Sequence, residues 1–193
     1  EIYKRWGKPV SNDGDVQWPN LGIEPPSLEQ LKETANGYEI AKVAGQQFGP
    51  DPIKPDFTYL KGDLTKAYST KVSKYTRSFV FLNLKDDTHP AAMIVYDRMN
   101  STNADFKKSW LLHSEEDPQI DENITTVTRS VYGYNGKLVN TTLLPLKDNL
   151  AIEKVGGDQK EYFVDGVNYP NPLSSQSSLE PGAWRIEVSP KNA

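Results

Sequence analysis

The chain has no cysteine in 193 residues, and only two histidines and two methionines. Without thiols there is no disulfide framework, no thiolate metal site and no cysteine nucleophile. Two imidazoles, His89 and His113, are too few for a histidine-rich metal centre. Apolar residues are sparse, at 36% of the chain with a mean hydropathy of -0.65. No apolar stretch approaches the roughly 20 residues that a membrane-spanning helix needs. A basic surplus is missing as well: 22 Lys and Arg face 26 Asp and Glu, a formal charge of -4. That balance argues against a nucleic-acid grip, which rests on a clustered positive surface. The chain opens on Glu1 with no signal-like segment, which suggests a mature chain or a piece of a longer one.

What is present points to strands. Twenty aromatics and a mixed 25% of charged residues exclude a disordered composition. Seven of the 14 prolines fall before residue 57: Pro9, Pro19, Pro25, Pro26, Pro50, Pro52 and Pro55. Each removes a backbone donor and fixes φ, so no long regular element crosses this region. Residues 1–56 are therefore expected to be a loop-rich segment packing on a β-rich remainder. Within it, Ser27 and Gln30 form a capping box for one short helix ending near Gly37, and an edge strand is expected around residues 38–43.

From Tyr59 the apolar period becomes two. Trp184, Ile186 and Val188 alternate with Arg185 and Glu187, the pattern of a half-buried strand. Strands are predicted over 72–84, 91–96, 110–113, 124–131, 138–144, 150–155, 162–167 and 183–188, all rich in β-branched and aromatic residues. Asn135-Gly136 suits a type I′ hairpin turn, and residues 86–90 and Gly156-Gly157-Asp158 are further turn signals. No helix-length period separates the strands. The expected fold is all-β, an antiparallel β-sandwich over 57–193 preceded by the proline-rich segment.

Residues with chemistry are few. His113-Ser114-Glu115 has the residue types of a nucleophile triad, but neighbours on a strand point to opposite faces. There is no Gly-x-Ser-x-Gly elbow and no phosphate loop. Asn12-Asp13-Gly14-Asp15 starts like a calcium loop but has no Glu at the twelfth position, so it reads as a turn. His89 reads as an exposed turn residue and His113 as a hydrogen-bonded core or rim imidazole. The acidic cluster Glu115, Glu116, Asp117, Asp121 and Glu122 reads as an exposed loop, and three Asn-x-Ser/Thr sequons, at Asn100, Asn123 and Asn140, are weak signals.

Two features suggest sugar binding. Trp6 and Trp18, in the proline-rich segment, are candidate stacking platforms, whereas Trp110 and Trp184 are expected in the core. A basic stretch, Lys61, Lys66, Lys71, Lys74 and Arg77 against Asp63 alone, reads as a solvated strand and turn or as an anion-facing strip. Its substrate-binding candidates are Lys71 and Lys74.

An ordered series of motifs then resembles the C-terminal part of bacterial heparinase II. It comprises Pro55-Asp-Phe-Thr-Tyr-Leu-Lys-Gly-Asp63, Arg77-Ser-Phe-Val-Phe-Leu-Asn-Leu84 and Pro90-Ala-Ala-Met-Ile-Val-Tyr-Asp97. It continues through Phe106-Lys-Lys-Ser-Trp-Leu-Leu-His-Ser114, residues 138–142 with Leu144-Pro145, and Trp184-Arg-Ile-Glu-Val-Ser-Pro-Lys191. The match covers about 55–193, and more loosely Phe48-Gly-Pro-Asp51 and the N-terminal segment. The resemblance implies a segment of a heparinase II/III-like polysaccharide lyase, a family with a helical toroid followed by β layers. Such enzymes cleave uronate-containing polysaccharides by β-elimination, and their catalytic Tyr and His and their metal ligands lie upstream of the part matched here. No catalytic or metal residue is therefore carried onto this chain, and no cofactor is expected in it. The implied setting is bacterial, periplasmic or secreted. The implied partners are the parent's upstream toroid and β domain, polysaccharide through that parent, and a second copy pairing at an exposed edge. Neither nucleic acid nor membrane is expected.

Overall fold

A computed structural model describes Ser27, Glu29 and residues 41–160, 162–164, 166–168 and 184–191. Over these residues the chain is all-β and antiparallel, as its period-two patterning predicts. It divides after Ala104 into two compact units.

The first unit holds a four-stranded antiparallel sheet in the order β1 (Lys42–Gly49), β2 (Phe57–Asp63), β3 (Val72–Asn83) and β4 (Ala91–Ser101). A 3-10 turn over Thr65–Lys71 links β2 to β3. Thr65 pins that turn: its Oγ1 accepts the Tyr75 N–H at 3.0 Å, and the Leu64 N–H donates to the Tyr75 carbonyl at 2.9 Å. The most buried side chains of this unit, Ala67, Val72, Tyr75 and Thr76, gather where the turn meets β3. The loop from β3 to β4 is built by Asp86, whose Oδ1 accepts the N–H groups of Thr88 and His89 at 2.9 and 2.6 Å. The residues 86–90 turn signal is thus realised through a side chain that mimics a backbone acceptor.

The second unit contains two three-stranded sheets and a small hairpin. One sheet has the order β5 (Trp110–Ser114), β12 (Trp184–Pro190), β9 (Leu150–Gly156), with the last strand of the chain at its centre. Alternation along β12 turns Ile186 and Val188 inward onto Leu150, with Trp110, Leu112 and Ile152 packed around them. Ile186 is 0% exposed. The other sheet is the meander β6 (Gln119–Asp121), β7 (Ile124–Val131), β8 (Tyr134–Thr141). A second 3-10 turn, Lys147–Asn149, precedes β9.

Several boundaries differ from the sequence expectation. Of the edge strand expected around 38–43, residues 38–40 lie outside the described residues; β1 runs over Lys42–Gly49, inside the stretch expected to be loop-rich. The β7–β8 hairpin turns at Tyr132-Gly133, with φ of 52° and 80°, not at Asn135-Gly136. Both central residues are left-handed, as a type I′ turn requires. Asn135 and Gly136 instead pair with Ser130 and Arg129, so β8 starts at Tyr134 and ends before Leu144. The strand expected over 162–167 is a short hairpin, β10 (Phe163–Val164) with β11 (Val167–Asn168), reversed at Gly166 with φ 81°. The helix expected after Ser27 and the calcium-like loop at Asn12 lie outside the described residues, Ser27 and Glu29 excepted.

Candidate anion-binding face

In an antiparallel sheet, directly paired residues point to the same face and alternate residues to the other. The register of the four-stranded sheet therefore sorts its charges. Lys42, Asp63, Thr76 and Arg98 form one row across all four strands. Gly45, Lys61, Ser78 and Tyr96 form the next, and Lys74 stands opposite Asn100 on the same face. Four cations, Lys42, Lys61, Lys74 and Arg98, thus share one face around a single carboxylate.

Lys42 reaches this face through a bulge. The register shifts between Val43 and Gly45, so Ala44 is an extra residue in β1. Uninterrupted alternation from Gly45 would send Lys42 to the opposite face; the inserted residue turns it back.

Asp63 is already occupied. Its Oδ1 accepts the Thr65 hydroxyl at 2.6 Å and the Thr65 N–H at 3.0 Å. These bonds, with the nearby charges of Lys42 and Lys74, hold its carboxyl below the usual range. Lys42, Lys74 and Arg98 are exposed and Lys61 half-buried. None of the four forms an ion pair among the described residues. The result is a cationic belt about 14 Å wide at ordinary strand spacing, flanked by Tyr59 and by a half-exposed Tyr96.

The opposite face uses its cation internally. Arg77 forks onto Asp97, Nε to Oδ1 at 2.7 Å and Nη2 to Oδ2 at 2.6 Å. Its guanidinium also lies 5.8 Å from the Tyr75 ring centre and 5.9 Å from that of Phe79. Tyr75, 2% exposed, meets Tyr68 edge-on at 5.1 Å. Burial pushes the Tyr75 hydroxyl above its ordinary pKa, and the carboxylate pair raises that of Arg77.

The basic stretch over 61–77 is consequently not one strip. Lys61 and Lys74 face the belt, Arg77 faces away, and Lys66 and Lys71 belong to the 3-10 turn. Of the two lysines singled out from sequence, Lys74 joins the belt. Lys71 closes the turn, where its carbonyl accepts the Thr102 N–H at 3.0 Å. Lys42 and Arg98 complete the belt yet lie outside that stretch; only strand pairing brings them in. Trp6 and Trp18 lie outside the described residues.

Elsewhere the charges hold the fold together. On β12, Glu187 binds Lys107 at 3.0 Å and Arg185 at 2.7 Å, while Arg185 also donates to the Phe163 carbonyl. Burial raises the Glu187 pKa, but these two cations outweigh it and the net shift is downward. Trp184 lies beneath the Lys154 ammonium, 4.9 Å from the ring centre, and Lys154 in turn binds Asp117 at 2.6 Å. Arg129 pairs with Glu115, so part of the acidic cluster is committed to a structural contact. His89 is exposed, its Nδ1 3.5 Å from Asp86, and His113 is exposed on β5, contrary to the core or rim position expected for it. Among the described residues no group of three His, Cys, Asp or Glu side chains is placed to hold a metal. No helix of the described residues is long and apolar enough to cross a membrane. Compared with protein-family models and with curated proteins, the chain matches none.

Proposed function

We propose that the chain is a non-catalytic β segment of a heparinase II/III-like polysaccharide lyase acting on heparin- or heparan-sulfate-type glycosaminoglycans. In this reading it supports the β layers, the cleft or a subunit interface of a bacterial periplasmic or secreted parent, next to the upstream toroid. The observation that carries the reading is where the resembling motifs fall. They fall on β2, β3, β4, β5, β8 and β12, strands drawn from the four-stranded sheet and both three-stranded sheets.

β-Elimination needs the uronate carboxylate neutralised, a base for the C5 proton and an acid for the leaving oxygen, all converging on one sugar. Of the two histidines, His89 sits in the β3–β4 loop of the first unit and His113 on β5 of the second. Incubating the 193-residue chain with heparin, heparan sulfate or alginate is expected to give no ultraviolet absorbance from unsaturated uronate. Appreciable turnover would overturn the reading. A second reading, an autonomous carbohydrate-binding module, is favoured by the cationic belt on the four-stranded sheet.

A further inference from the structure

We propose that Lys42, Lys61, Lys74 and Arg98 form a binding site for an anionic polysaccharide lying across the four-stranded sheet.

Like charges on neighbouring strands repel, and a sheet gains nothing from placing them on one face. Here four cations converge from four strands, one of them through a bulge, and the single acid among them is held by Thr65. The chain as a whole is negative, so the belt is a local reversal of sign that would steer an anion towards it. Lysine ammoniums and a guanidinium with no ion-pair partner among the described residues keep their donors for sulfate or carboxylate oxygens. Ser78 and Asn100, on the same face, add neutral donors suited to sugar hydroxyls, and the Tyr96 ring offers a flat apolar surface to a sugar face. At about 14 Å the belt fits a short oligosaccharide and is small for a duplex. The choice of a saccharide over other polyanions rests on the function proposed above; the charge argument does not.

The test is a titration of the complete chain with a sulfated heparin oligosaccharide, with neutral dextran and with single-stranded DNA, at low and moderate salt. Sulfated oligosaccharide is expected to bind in a salt-sensitive way and dextran not at all. Lys74→Glu with Arg98→Glu should weaken binding roughly tenfold or more and reduce the slope of log K against log salt by about two. Lys137→Glu with Lys160→Glu, on the other unit, makes the same change in net charge and should leave affinity within about twofold. Circular dichroism checks that each variant is folded, and Lys42→Gln with Lys74→Gln repeats the test without charge reversal.

No binding by the folded chain overturns the proposal, as does an equal loss in the control pair. Single-stranded DNA binding as tightly as the saccharide also overturns it, because the belt would then be a general polyanion surface. A chain that fails to bind yet produces no unsaturated uronate loses only the belt. A chain that turns substrate over loses the non-catalytic reading instead.

Discussion

Arg77 and Asp97 show how much one residue's meaning depends on its face. In sequence Arg77 closes a basic stretch, yet the register points it away from Lys61 and Lys74 and into a two-bond fork with Asp97. Both side chains are about a quarter to a third exposed, so the pair is only partly screened by water. Asp97→Asn should lower unfolding free energy by about 1–2 kcal/mol, read as a lower urea midpoint at unchanged m-value. Replacing both partners by apolar residues should cost less than losing either alone, because no charge is then stranded. A double variant less stable than either single would contradict this account. Lys42 and Arg98 mark the limit of the sequence. No spacing rule relates positions so far apart in the chain, and Lys42 faces the belt only because Ala44 is inserted after it.

Strands are largely legible from alternation, and their ends are not. Residues 124–131 are recovered in full as β7, because they open on five consecutive β-branched residues, Ile124 to Thr128, and close on Val131. The next turn is harder to place, because Asn135-Gly136 carries the stronger local preference while cross-strand pairing selects Tyr132-Gly133. Two glycines separate backbone strain from crowding. At Gly133, φ 80°, a Cβ would meet nothing within 4 Å, so Gly133→Ala should cost about 1 kcal/mol from conformation alone. At Gly157, φ 87°, a Cβ would lie 2.6 Å from the Trp184 ring, so Gly157→Ala should cost clearly more, about 2–4 kcal/mol. Equal losses in thermal or urea unfolding would contradict the packing of Trp184 on this turn. Ile186→Ala truncates a fully buried apolar side chain at the centre of the second unit's core and should cost about 3–4 kcal/mol by the same measurement.

At the scale of the whole molecule, four carboxylates of the described residues are held below their ordinary pKa. Asp51, Asp63 and Asp86 are lowered by hydrogen bonds they accept, and Glu187 by cations that outweigh its burial. A carboxylate whose folded pKa lies below its unfolded value stabilises the fold above the unfolded value and loses that contribution as pH falls through the folded one. The melting temperature should therefore be level from pH 7 to about 5 and fall progressively below about pH 4, as the unfolded chain takes up protons first. Asp63→Asn should flatten part of that acid limb. A melting temperature that rises on acidification would contradict the arrangement. Fold class is readable at this scale because composition and period act along the whole chain. The belt is not, because it exists only once four strands are in register.

The outer side of β4 has a consequence for the chain's behaviour at high concentration. Among the described residues Ala91–Ser101 ends the order of its sheet; it contains no proline and exposes Met93, Ile94 and Tyr96. Such a rim is a template on which further strands can add. Of the two charges on β4, Asp97 is committed to Arg77, which leaves Arg98 as the gatekeeper that discourages stacking of one copy on the next. Neutralising Arg98 would therefore cost colloidal solubility as well as a cation of the belt, whereas reversing it to Glu keeps the guard in place.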